Sequence, residues 1–312
     1  MSTRPGLEPG PGAHLRDRRG GEPLPRGIAL LRGLLGWVVL CVGLGTAVGL
    51  ALVLQQRAGL TGAARFLVQA AVMSLLVGPV VLVLRRRVDR RSAAGLGISP
   101  RPGPPVLLGL GVGLTSAVVV WLPAVLAGWV RVDALDLTTF VTFLLLNGAA
   151  LLLFEALPEE LALRGYAWTN LRDGWGPLTA TLVTTALFPL AGGASTAVSA
   201  LVTALLGLEP TPLRILPADP LVYVVQLVLF GLALVAARRI PVPGALWIAV
   251  AFHWTQLTVT RTLLGGLGWA PSGWQVTFVE PDALALVLAH VVVGGVLFVA
   301  LRHLRQRRRA EG

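Results

Sequence analysis

A polytopic all-α transmembrane bundle is the fold class this sequence predicts, and three observations predict it. The 312 residues are 55% hydrophobic with a mean hydropathy of +0.76, and only 13% are charged, about half the share of a soluble globular protein. Apolar stretches long enough to cross a hydrocarbon core recur along the chain. Arginine clusters stand beside alternate ends of those stretches, as the positive-inside rule requires.

The elements follow in order. Residues 1–27 are rich in Gly, Pro and Arg and lack the apolar core and cleavage site of a signal peptide, so they read as a disordered cytoplasmic tail. A membrane domain over 28–303 then holds apolar spans at Gly27–Leu54, Phe66–Leu84, Pro105–Val130, Thr138–Leu157, Gly176–Leu190, Leu221–Ala237, Gly244–Leu264 and Ala283–Leu301. Arg16, Arg18, Arg19 and Arg26 precede the first span. Arg85 to Arg87, Arg90 and Arg91 follow the second, Arg164 and Arg172 the fourth, Arg238 and Arg239 the sixth, and Arg302, Arg305 and Arg307 to Arg309 the eighth. The opposite loops carry Asp133, Asp136, Glu209, Asp219, Glu280 and Asp282. About eight spans with both termini in the cytoplasm satisfy every cluster. A further apolar piece, Ala194–Leu208, would carry Arg238 and Arg239 outside if it crossed by itself, so it is expected on the outer face or partly inserted. Residues 304–312 read as a basic cytoplasmic tail that touches anionic lipid.

Composition also excludes. The net charge of +11 lies beside apolar spans and needs no nucleic acid to explain it. The lone Cys41 rules out an intramolecular disulfide framework and a thiolate metal cluster. No H-E-x-x-H motif is present, which removes the common zinc proteases. All basic residues are Arg, with heavy Ala, Gly, Val, Leu and Pro, a pattern of GC-rich bacterial genomes.

The chemistry concentrates in Glu159-Glu160-Leu161-Ala162-Leu163-Arg164, which follows the apolar run Thr138–Leu157 and Pro158. Ionisable residues at such a place are expensive and usually mark a site. Proline suits a first helical turn, where carboxylates meet the positive end of the helix dipole. A break or kink near Pro158, with a new helix running to about Arg172, is therefore expected. On that helix Glu160 and Arg164 are four apart and can pair. Glu159 points about 100° away and stays outside that pair. A carboxylate in a low-dielectric site can accept a proton from water near neutral pH. Glu155, one turn earlier, extends the acidic patch. A structural ion-pair cluster ending a membrane helix would place the same residues together, so spacing alone leaves both readings open.

Histidine supplies a second part. His14 lies in the N-terminal tail and His303 in the basic end, while His290 in the last span reads as a packing residue. His253 sits mid-span in Phe252-His253-Trp254-Thr255-Gln256. It lies about 21 Å of helix from Arg239, and Glu159 about 20 Å from Arg172, which sets both at similar depth. The straight helix from Thr138 to Glu159 would already measure about 32 Å, so equal depth requires a tilt, bend or turn-back near Pro158.

Glu159-Glu160-x-x-x-Arg164-Gly165-Tyr166, then Phe230-Gly231-Leu232-Ala233-Leu234, Gly244-Ala245-Leu246-Trp247 and His253, resembles the CPBP family over roughly Phe140 to Leu264. This is the CAAX-protease and bacteriocin-processing group of intramembrane proteases. The resemblance implies an intramembrane endopeptidase in the cell membrane, acting on a membrane-embedded or lipid-anchored peptide. It implies Glu159 as the carboxylate that activates water, Glu160 and Arg164 as a supporting pair, and His253 as partner of the water or of a divalent metal such as zinc. Glu159 and His253 would then be metal ligands. Two family positions depart: the histidine of F-x-x-x-H falls on Gly192, four after Phe188, and the Asn or Asp after the last histidine falls on Leu257. Glu155, Gln256 or His290 would have to supply what those positions lack.

Other functions remain open on the sequence. A chain lacking those groups can bind a membrane peptide without cutting it, as an immunity or scaffold protein. A proton-coupled transporter would use the carboxylates as relays, although no repeated halves are evident. Gly193-Ala194-Ser195 superficially resembles the serine segment of rhomboid proteases, with His253 as its base.

Overall fold

A computed structural model describes residues 24–209, 219–266 and 270–311. Residues 1–23, including His14 and most of the expected tail, and Trp269 lie outside the described residues. The chain is an all-α bundle, with α1 Arg26–Ala58, α2 Gly62–Val83, α3 Gly103–Leu126, α4 Leu137–Leu151, α5 Leu157–Glu160, α6 Trp168–Leu205, α7 Pro220–Arg238, α8 Ala245–Leu263 and α9 Leu286–Glu311. Six helical stretches among the described residues are long and apolar enough to cross a membrane. The first of them begins at Arg26, inside the stretch expected to be tail, and α9 carries helix through the basic end to Glu311.

The site helix departs from expectation in an instructive way. No break occurs at Pro158, where backbone angles stay helical. Instead α4, α5 and the start of α6 form one rod, wound as π-helix at Leu152–Ala156 and Leu161–Ala167 on either side of the proline. Pro158 offers no N–H to the preceding turn, and the Ser74 hydroxyl on α2 donates to the Leu153 carbonyl there. Arg238 Nε likewise donates to the Arg164 carbonyl, at 3.3 Å, inside the second π segment. Such insertions in a helix frequently accompany functional sites. The break falls at Gly176, whose φ of 85° and ψ of 168° leave the helical region, a conformation glycine adopts without the steric cost of a Cβ.

Beyond Gly176 the chain is helical without interruption to Leu205. Ala194–Leu208 is therefore not a separate segment: up to Leu205 it prolongs the helix of the Gly176–Leu190 span. The Gly-Gly-Ala-Ser stretch stays helical because α1 packs closely along it. A Cβ at Gly45 would stand 2.5 Å from the Ser195 carbonyl oxygen, and one at Gly49 3.1 Å from that of Ser199. Small residues that let backbones approach are the usual basis of such membrane contacts.

A two-stranded antiparallel sheet, β1 Val130–Leu135 with β2 Trp274–Phe278, joins the α3–α4 and α8–α9 connections. It was not anticipated from the sequence. Trp121 and Val130 pack beneath it with Ala283. The main core runs through Met73, Leu163, Tyr166, Phe230, Phe252 and Phe298, so it surrounds the middle of the rod.

Candidate functional site

Glu155 and Glu159 lie at the middle of the rod that runs from Leu137 to Gly176. Across from them, α8 presents His253, Gln256 and Leu257; α6 presents Phe188 and Gly192; α7 presents Tyr223, Gln226 and Phe230. Together these line a hollow of about 210 Å³. Helical geometry separates the two adjacent glutamates. Glu159 faces the hollow, and no hydrogen bond or ion pair engages its side chain among the described residues. Glu160 turns into the packed bundle and is fully buried.

Glu160 does more than pair with Arg164. Its Oε1 accepts from Arg164 Nη1 at 3.0 Å and lies 3.1 Å from His253 Nδ1. One carboxylate thus ties the π segment of the rod to the middle of α8, and it fixes the histidine ring as second carboxylates do in triads. The ring is further held edge-on against Phe230, with centroids 4.7 Å apart. Arg164 lies over the Phe188 ring at 4.4 Å, a cation–π contact that suits a desolvated guanidinium.

The remaining expected groups divide. Glu155 also lines the hollow but is held by Arg261 at 2.5 Å, so Arg261 meets a carboxylate of the chain itself. Gln256 lines the hollow with its amide donated to Thr260 at 3.1 Å. Leu257 lines it with an apolar side chain. His290 stands apart, its Nε2 donating to the Gly113 carbonyl at 3.0 Å between α9 and α3. Ser195 donates to the Gly192 carbonyl at 2.8 Å and is absent from the lining shared by Glu159 and His253, which leaves the serine mechanism without a base.

Tyr223 and Gln226 were not anticipated. Two polar residues three apart in an otherwise apolar span are the same kind of signal as the paired carboxylates, and they went unread. The donor set does not suit a resident metal. A hydrolytic zinc centre needs three protein ligands and an open position. Among the described residues no group of three His, Cys, Asp or Glu is placed to hold an ion, Glu155 is engaged by Arg261, and Gly192 brings no ligand.

Comparison with known proteins agrees with the segment that builds this geometry. Residues 140–259 match the family model described as Rce1-like, type II CAAX prenyl endopeptidase. No curated protein and no solved structure matches the chain. The matched segment contains Glu155, Glu159, Glu160, Arg164, Gly192, Tyr223, His253 and Gln256. The stretch that forms the hollow is thus similar to the CAAX-protease family of membrane endopeptidases.

Proposed function

We propose that the protein is an intramembrane endopeptidase whose Glu159 activates water to hydrolyse a peptide bond in a membrane-embedded or lipid-anchored substrate. The observation that carries this reading is that Glu159, alone of the three neighbouring glutamates, has no hydrogen bond or ion pair among the described residues and opens onto a hollow shared with His253. A carboxylate in that position can take the proton of a bound water. With Nδ1 held 3.1 Å from Glu160, the His253 ring is fixed in place and can orient that water through its other nitrogen. Arg164 pairs with Glu160 at 3.0 Å and helps hold the carboxylate that positions the histidine. The family name makes a prenylated C-terminal peptide the first substrate to try.

Purified protein in detergent should cleave a fluorogenic peptide ending in a farnesylated cysteine motif, and Glu159→Gln should lower the rate by about 10²–10⁴. Full activity in that variant would end the hydrolase reading. A second reading has one observation behind it: Gly192 and Leu257 bring no polar group to the hollow. A non-cleaving peptide binder would retain its partner phenotype in the Glu159→Gln variant. We further assign a multi-pass place in the cell membrane with both termini cytoplasmic, on the arginine distribution. A reporter fused after Gly312 that became active only outside the cell would overturn that orientation.

A further inference from the structure

We propose that Tyr223 is a catalytic residue of this hollow: its phenol fills the volume that Gly192 leaves free and donates a hydrogen bond to the scissile carbonyl oxygen. The inference rests on the hydrolase reading and extends it.

The fit between the two residues is reciprocal. Gly192 lies inside an unbroken stretch of α6, where glycine is a poor helix former. A Cβ there would stand 2.3 Å from the Tyr223 hydroxyl oxygen and 3.4 Å from Cζ. Any larger residue would displace the phenol, so the glycine and the tyrosine make one arrangement. Tyr223 is set by the first turn of α7, where Asp219 caps the helix by accepting from the Val222 amide at 3.1 Å. Its hydroxyl donates to the Pro189 carbonyl at 3.2 Å. Tyr223 is only partly buried, and it lines the same hollow as Gly192, Glu159 and His253.

A phenol has one proton to donate and can swing it between acceptors. In the resting protein it goes to Pro189; with substrate bound it goes to the carbonyl oxygen. The water oxygen then bonds to the carbonyl carbon while Glu159 takes the water proton. The carbonyl electron pair moves onto oxygen, where the phenol stabilises it by hydrogen bonding and keeps its own proton. Collapse of that adduct re-forms the carbonyl and expels the amine, which receives the proton from Glu159. The polar group that neither Gly192 nor Leu257 contributes thus comes from a different helix.

Two measurements on the full chain test this. With the farnesylated fluorogenic peptide, Tyr223→Phe should lower kcat about 10²-fold, as loss of one oxyanion donor does, with KM little changed. Gly192→Ala should do the same by pushing the hydroxyl aside. Full kcat in Tyr223→Phe, alongside an inactive Glu159→Gln, overturns the role of Tyr223 and leaves the hydrolase reading standing. Full activity in Glu159→Gln would instead sink the hydrolase reading. The second measurement needs no turnover. The chain has two tyrosines, so ¹³Cζ-tyrosine labelling gives two resonances, and Tyr223→Phe identifies one. That resonance should move in Gly192→Ala and in Glu159→Gln. A Tyr223 resonance unmoved by both overturns the inference whether or not the peptide is cut.

Discussion

Asp89 and Glu159 are carboxylates set among the same packed helices, yet they are finished in opposite ways. Four donors meet Asp89: Arg32 Nε at 3.2 Å, Arg85 Nη1 at 3.2 Å, the Tyr166 hydroxyl at 3.1 Å and Asn170 Nδ2 at 3.1 Å. Two of these come from the same rod that carries Glu159. Among the described residues none meets Glu159, which faces a hollow. A buried carboxylate met by donors at both oxygens helps lock one arrangement of helices. A carboxylate left without partners is costly, and its persistence beside such a cluster points to chemistry. The difference separates anchor from tool within one helix.

Between the two stands Glu160, which is both, and it provides the largest expected effect. Glu160→Ala strands Arg164 and releases His253. Thermal unfolding in detergent should show a loss of about 3–5 kcal/mol, the usual result of breaking a buried pair, and cleavage should vanish in the fraction that stays folded. Asp89→Ala should lose at least about 3 kcal/mol by the same argument, while the rate per folded molecule is retained. If that rate fell as far as in Glu159→Gln, the anchor would be part of the machinery and the comparison would break. Glu159→Gln should change stability by less than about 1 kcal/mol, since no pair is broken, while abolishing cleavage. The smallest effect belongs to a carboxylate outside both clusters. Exposed Asp136 caps α4 by accepting from the Thr139 amide and hydroxyl at 3.1 and 2.6 Å, and these bonds hold its pKa below the ordinary value. Its cap is therefore present above the unfolded-state pKa and lost as pH falls through the lower folded one. Asp136→Asn, which caps without ionising, should remove that pH dependence below about pH 4 and leave stability at neutral pH nearly unchanged.

How much of this could be read in the sequence follows from which forces act locally. Hydropathy reports the solvent of each segment, so the spans were legible. The 100° turn between neighbours on a helix was enough to assign Glu159 and Glu160 different surroundings. The break was put at Pro158 because proline denies an amide to the helix. That loss is met by Ser74, 79 positions from the Leu153 carbonyl it bonds, which no local rule can see. The break at Gly176 falls where the fifth apolar span was expected to begin, after a helix ending at about Arg172. The sheet between Val130–Leu135 and Trp274–Phe278 pairs segments far apart in the chain, so loop charge was read where strand pairing decided. Gly192 looked like a missing group because its occupant, Tyr223, comes from another helix.

The two π windings around Pro158 set the phase of the rod. Each amounts to one residue more than a regular helix would need over that length. Removing a single residue from Leu161–Ala167 would re-register everything on one side by about 100°. With Tyr166 and Asn170 still moored to Asp89, the carboxylates would rotate away from α8, and the proton acceptor would face hydrocarbon. In this segment the protein should tolerate many exchanges of side chain more readily than one change of length.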